Sequence, residues 1–220
     1  MSWRHGRRGY HHGNLREALL DAALALIAEK GAGGFTFADA ARHAGVSSAA
    51  PYRHFRDRED LLARVAQRGF EQFADGLERA WDKGRPEPRA AFERLGAEYL
   101  RFARSEPAYY AAMFEAGISV EAHPELRRAA DRAFGVLRSA SETLAALLPA
   151  ASRPPAAMMS LHVWAISHGI ASLFARPDAG RRKLPMSPEE LLEAGILVYL
   201  RGLGFDDGAP RSRGSKQGPD

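Results

Sequence analysis

The stretch TFADAARHAGVSSAAPYRHF, residues 36 to 55, decides the fold. Thr36, with Asp39 three residues on, has the form of a capping box and opens a short helix. Phe37, Ala40 and Ala41 make its inner face, and the small Ala41 permits close helix approach. Gly45 suits the left-handed position that ends a helix and turns the chain. Val46 is placed as an apolar plug, and Ser47 as the cap of a further short helix ending near Phe55. Pro51 falls at the end of that helix's first turn, where a missing N–H costs little. Two short helices set at an angle by a glycine turn form a helix-turn-helix, or a helical hairpin with no nucleic-acid role. On the first reading, Ser47, Ser48, Ala49 and Ala50 meet base edges in a major groove. Tyr52, His54, Arg56 and Arg58 are then the polar groups that reach phosphates.

Outward from this segment the pattern is helical throughout, and no alternating β-branched run suggests a sheet. Asn14 caps a first helix to about Lys30, with Leu15, Leu19, Ala22, Ala23, Leu26 and Ile27 on one face. Asp57, followed by Asp60, opens a long helix to about Lys83 that buries Leu61, Leu62, Val65, Phe70, Phe73, Leu77 and Trp81. After the Gly84-Pro86-Pro88 break come helices over about 87–104, from Pro107 to a stop at Gly117, and from Pro124 to about Leu148. A loop spans Pro149 to Pro155, and the last helices cover 156–175 and 188–202. The fold class is all-α.

The composition, 45% hydrophobic and 26% charged over 220 residues, is that of a globular chain with a core of its own. With no cysteine, disulfides and thiolate chemistry are excluded. The first residues lack the apolar run of a secretory signal, so a cytoplasmic protein is expected. A net charge of +4 permits a polyanionic partner. Residues 1 to 16 carry Arg4, Arg7, Arg8 and Arg16 and no acid, the composition of a solvated tail or of a nucleic-acid-binding arm.

Residues 14–62 resemble the DNA-binding domain of the TetR family. The resemblance is carried by Gly31, Phe35-Thr36, Ala40 and Ala41, Gly45-Val46-Ser47, Tyr52-Arg53-His54-Phe55 and Arg58-Glu59-Asp60-Leu61-Leu62. It implies DNA contacts at Thr36, Ser47, Tyr52 and His54, and a phosphate contact at Arg58, where the family usually has Lys. The opening Tyr10-His11-His12-Gly13-Asn14-Leu15 resembles one branch of the family. By analogy with arms that enter the minor groove, Arg7, Arg8 and Tyr10 are candidates. His162 to Gly169 resembles the Trp-His-Gly motif of that branch's C-terminal domain. The resemblance implies a homodimeric repressor that releases a palindromic double-stranded operator when a small-molecule effector binds. No enzyme activity and no cofactor are expected. Four regions follow: a flexible basic arm (1–13), the helix-turn-helix domain (14–62), a ligand-binding and dimerisation domain (63–204) and a disordered tail (205–220).

Ala156 to Ala175 holds no Asp, Glu, Lys or Arg. A membrane span has that length, but His162, His168, Gly169 and three serines are costly in lipid. The expectation is a helix buried on nearly all sides, with no membrane partner. The last helix is also apolar almost all round; a two-fold dimer of four helices supplies the missing partner surface, or the two helices are plain intrachain core. The dimer's expected interface is Ile166, Ile170, Leu173, Leu192, Ile196, Leu197, Tyr199 and Leu200. Trp164 and His168, four apart, share a helix face with Met158 and Leu161 nearby. Together with Phe92, Tyr99, Tyr109, Met113, Phe114, His123 and Phe134 they are the candidate lining of an effector cavity, or ordinary core. His162 and His168 are six apart and point in different directions, so no metal site is expected.

Overall fold

The helix opened by Asp57 organises the molecule. A computed structural model describes residues 15–175 and 185–205. Among the described residues are eight α-helices and no strand: α1 Leu15–Lys30, α2 Phe37–His43, α3 Arg58–Trp81, α4 Pro88–Ser105, α5 Pro107–Phe114, α6 Pro124–Ala145, α7 Ala156–Ala175 and α8 Pro188–Gly202. Asp57 caps α3 by accepting the Asp60 N–H at 2.8 Å. Every α3 position expected in the core is buried, from Leu61 to Trp81. Each such large side chain removed from water stabilises the fold by roughly 1.5–3 kcal/mol. One side of α3 meets α4 and α5, and its most extensive contact is with α6. Because α3 runs unbroken through residue 62, the N-terminal unit and the C-terminal bundle share one rigid helix.

The N-terminal unit is α1, α2 and the start of α3, packed around Leu19, Ala23, Ala40 and Phe55. The capping box at Thr36 is present in full: the hydroxyl accepts the Asp39 N–H, and the Asp39 carboxylate accepts the Thr36 N–H. The Thr36 hydroxyl's own hydrogen bond to Asp39 is the main reason that carboxyl is lowered to a pKa of about 2. Gly45 takes φ 71°, a region costly for residues with a Cβ, and so turns the chain after α2.

The segment after that turn departs from expectation. It is a single 3₁₀ turn, Ala50–Arg53, in place of an α-helix over 47–55. Pro51 has no N–H to give the Ser47 carbonyl, so Ala50 donates to that carbonyl at 3.0 Å in the tighter i→i+3 pattern. Ser47 makes no capping bond there, and the turn begins at Ala49 without a side-chain cap. Val46, expected as a buried plug, is half-buried.

The last two helices also differ from expectation. α7 is long and apolar enough to cross a membrane, yet only 33% of its most apolar window is buried within the protomer. Its inner face carries Met159, Val163, Ser167 and Ile170, while Met158, Leu161, Trp164 and Leu173 are exposed. On α8, Leu192, Ile196 and Leu200 recur every fourth residue and are buried; Leu192 rests on Gly96 of α4. Ile170, Leu192, Ile196 and Leu200 therefore fill this chain's own core and are not free for a partner. Ile166 packs on Gly195. The side of α8 left open centres on Val198, 71% exposed, with Leu197 and Tyr199 half-buried beside it.

Candidate nucleic-acid interface and internal cavity

The turn at Gly45 pushes one short surface outward. Ser47, Ser48, Ala49, Tyr52, Arg53, His54 and Arg56 are all exposed. The Tyr52 ring meets Phe37 edge-on at 5.0 Å, which fixes it against α2 while leaving its hydroxyl end in solvent. Thr36 is exposed at the start of α2, beside the same surface. Arg53 is not among the expected contacts; an exposed cation between Tyr52 and His54 is the signal that marks it. Arg7, Arg8 and Tyr10 lie outside the described residues, as does the Asn14 cap.

Arg58 behaves otherwise than expected. Its guanidinium turns inward, donates to the Ala32 carbonyl and lies 4.7 Å over the Phe35 ring. Cation–π attraction and a charge-assisted hydrogen bond thus pin the α1–α2 turn to the first turn of α3. Arg58 Nε is buried without a hydrogen-bond partner. In this conformation the guanidinium is held by Ala32 and Phe35 and is not extended toward a phosphate.

Deeper in the bundle, α3, α4, α5, α6 and α7 line a cavity of about 430 Å³ that opens to solvent beside Leu161 and Asp131. Six of the expected residues line it: Tyr99, Met113, Phe114, Phe134, Leu161 and Trp164. Five do not. Phe92 is packed in the core of α4, and Tyr109 lies against Gly69 of α3. Met158 is exposed, and His123 faces Glu59 at 3.5 Å in a separate groove. His168 sits behind Tyr99. The wall that sequence reasoning misses is mostly α3, with Phe70, Phe73 and Leu77, and the inner side of α6, with Ala130, Ala133 and Leu137. These positions read as an ordinary apolar stripe, which looks the same whether it faces a core or a hole.

At one end of the cavity is a knot of polar groups. The hydroxyls of Tyr99 on α4 and Tyr110 on α5 each lie 2.9 Å from His168 Nδ1 on α7. Burial pushes the Tyr99 phenol far above its ordinary value, with Tyr110 adding to the shift. Tyr110 is raised too, chiefly by burial. Burial likewise lowers the His168 pKa, against a weaker upward pull from Glu115. The knot is therefore a set of neutral donors and acceptors tying three helices together.

Comparison with known proteins bears on both features. A family model described as bacterial regulatory proteins, tetR family, matches residues 19–65. A second, described as a tetracyclin repressor-like C-terminal domain, matches 92–199. The chain belongs to the TetR family. A solved structure of a protein with unknown function from Rhodococcus sp. RHA1 is 31% identical, with a TM-score of 0.73 over 89% of this chain and 98% of that one. The TetR family regulator PfmR from Thermus thermophilus is 22% identical with a TM-score of 0.63, covering 83% of this chain and 97% of its own. The fatty acid degradation regulator FadR from Bacillus halodurans shares the fold at 14% identity and a TM-score of 0.67, over 87% and 97%. No curated sequence matches the chain.

As a TetR-family regulator, the protein binds DNA through the 19–65 unit. Its C-terminal bundle has two mechanical links to that unit besides α3. One is α5, which packs against both α1 and α3. A Cβ on Gly69 of α3 would sit 2.7 Å from Met113 Sδ, so a glycine lets α5 approach closely there. Next to it Arg68 on α3 is paired with Glu17 on α1. The other link is the 3₁₀ turn Val120–Ala122: Val120 lines the cavity, and His123 just after it meets Glu59 in the first turn of α3. The amino-acid pattern alone points only to α3 as the connection.

Proposed function

We propose that the protein is a ligand-released repressor that acts as a homodimer on a two-fold symmetric operator in the cytoplasm. The observation that carries the DNA half is the outward surface after Gly45, where Ser47, Ser48, Ala49, Tyr52, His54 and Arg56 stand exposed in one short run beside Thr36. Serines and alanines fit close to base edges, while Tyr52, His54 and Arg56 suit the flanking phosphates. The arm bearing Arg7, Arg8 and Tyr10 extends this footprint toward the minor groove.

The uncovered sides of α7 and α8, around Leu173 and Val198, support dimerisation. Apolar helix faces left bare by the protomer's own packing need a partner, and a second copy supplies one by symmetry. A lipid partner fits less well, because α7 gives its inner face, Met159 to Ile170, to the protein core. Release follows from the cavity's walls. Met113 and Phe114 belong to α5, and Tyr110 of α5 is held by the His168 knot. A ligand that displaces α5 acts on Gly69 and, through Arg68 and Glu17, on α1. A coupling of about 1–3 kcal/mol changes operator affinity roughly 5- to 150-fold, and DNA must weaken ligand binding by the same factor.

Selection from random duplex DNA with the full chain tests the reading. A two-fold symmetric consensus, bound with steep salt dependence, is the expected result. A consensus with a single half-site, or none, refutes it.

A further inference from the structure

The cavity's inventory of charge is one-sided. Among the described residues, Asp131 is the one charged side chain that lines it, and no Lys, Arg or His does. That carboxylate stands at the rim, with 73% of its side chain exposed and Arg127 at 3.7 Å. The neighbouring guanidiniums do not belong to the lining and are occupied by carboxylates: Arg132 grips Asp75 and Glu78 at 2.7–2.9 Å, and Arg127 grips Glu121 at 2.6 Å. Inside, the surfaces of Phe70, Phe73, Met113, Phe134 and Leu137 are hydrocarbon or thioether. The polar interruptions are the Tyr99 and Ser167 hydroxyls and the Trp164 indole, gathered on α4 and α7.

A carboxylate, sulfonate or phosphate entering this space gives up water and meets no cation, an exchange that strongly disfavours it. One hydroxyl, carbonyl or amine N–H is accommodated, because the polar side chains are grouped at a single spot. The volume is that of a small-molecule site. We infer that the effector is a mainly hydrocarbon molecule that carries no anionic group and directs one hydrogen-bonding group at Tyr99 or Ser167, and that acids and phosphorylated compounds are rejected. The inference rests on the effector-cavity reading above.

A matched pair of fluorescent probes tests it: N-phenylnaphthylamine, which is neutral, and anilinonaphthalenesulfonate, which adds one sulfonate to the same ring system. In titrations of the full chain the neutral probe is expected to bind at least tenfold more tightly, a difference of about 1.4 kcal/mol. Ala130→Lys, which brings a cation to the cavity wall, should narrow or reverse that ratio. Ala130→Trp should fill the space and abolish both signals. Leu161→Trp, at a half-exposed part of the lining, serves the same purpose should circular dichroism show the first variant unfolded. If the unaltered chain bound the sulfonate as tightly as the neutral probe, and both signals vanished on filling, the inference would be overturned while the cavity stayed a ligand site. If neither probe bound, or filling changed nothing, the effector-cavity reading itself would fail and take the inference with it.

Discussion

Replacing Arg58 with alanine distinguishes a clasp from a phosphate contact. In the structure the guanidinium donates to the Ala32 carbonyl and covers Phe35 at 4.7 Å. A hydrogen bond from a charged donor is worth about 1.5–3 kcal/mol, and a partly exposed cation–π contact about 0.5–1 kcal/mol. The buried, unpartnered Nε offsets roughly 1 kcal/mol of this. The net loss in Arg58→Ala is therefore about 1–3 kcal/mol. For a chain of this size that lowers Tm by about 2–12 °C, readable by circular dichroism. The second readout is operator affinity against salt. A residue that neutralises one phosphate contributes about 0.9 to the slope of log K against log salt. A clasp contributes nothing, so the slope of Arg58→Ala should equal that of the unaltered chain. Arg58→Lys keeps the charge but loses the planar fork, and should recover only part of the stability. An Arg58→Ala protein that melted normally and lost about one unit of salt slope would refute the reasoning and restore Arg58 to the DNA surface.

Three further outcomes are expected. Val198→Glu places a charge on a side chain that is 71% exposed in the protomer, so helicity should persist while sedimentation shows monomers and operator affinity collapses. Because burial holds the His168 pKa below its ordinary 6.5, the unfolded chain takes up that proton first as pH falls. Its effect on stability should be flat above about pH 6.5 and become unfavourable as pH drops through the interval down to the lowered folded value, as seen in Tm against pH. His168→Gln should remove that part of the pH dependence. Trp164→Ala, at a position 37% exposed, should leave unliganded DNA binding intact but blunt release by any ligand, measured by fluorescence anisotropy with labelled operator.

Much of the helical framework is legible in the sequence. The helices at 156–175 and 188–202 match the expected bounds, and α3 lies within one or two residues of its expected ends. Polar caps mark such limits plainly: Asp57 opens α3, and Ser187 with Glu190 forms a second capping box at α8. Neighbours are far less legible. An amphipathic pattern states that a face is covered, without stating by what. Hence Leu192, Ile196 and Leu200 read as partner-facing though they pack inside the protomer, and Phe70 and Phe73 read as solid core though they border a hole. Arg58 misleads for a related reason: the chain to either side does not say which way a long side chain turns. The 3₁₀ turn is foreseeable in principle. Pro51 looks harmless at the end of a first turn, yet its missing donor removes the one bond that would have closed that turn as α-helix.

That short turn has a consequence for how operators are told apart. On the proposed DNA-binding surface, a reading head of Ser47, Ser48 and Ala49 would offer two hydroxyls and a methyl to the bases, so each half-site would specify little sequence information. On the proposed dimer, the rest of the specificity falls to the distance between the two heads, which act as the jaws of a caliper. A molecule that alters that distance changes which spacing is preferred as well as how tightly any site is held. Sub-saturating effector would then redistribute the protein among operators of different spacer length, giving a graded order of gene release from a single regulator.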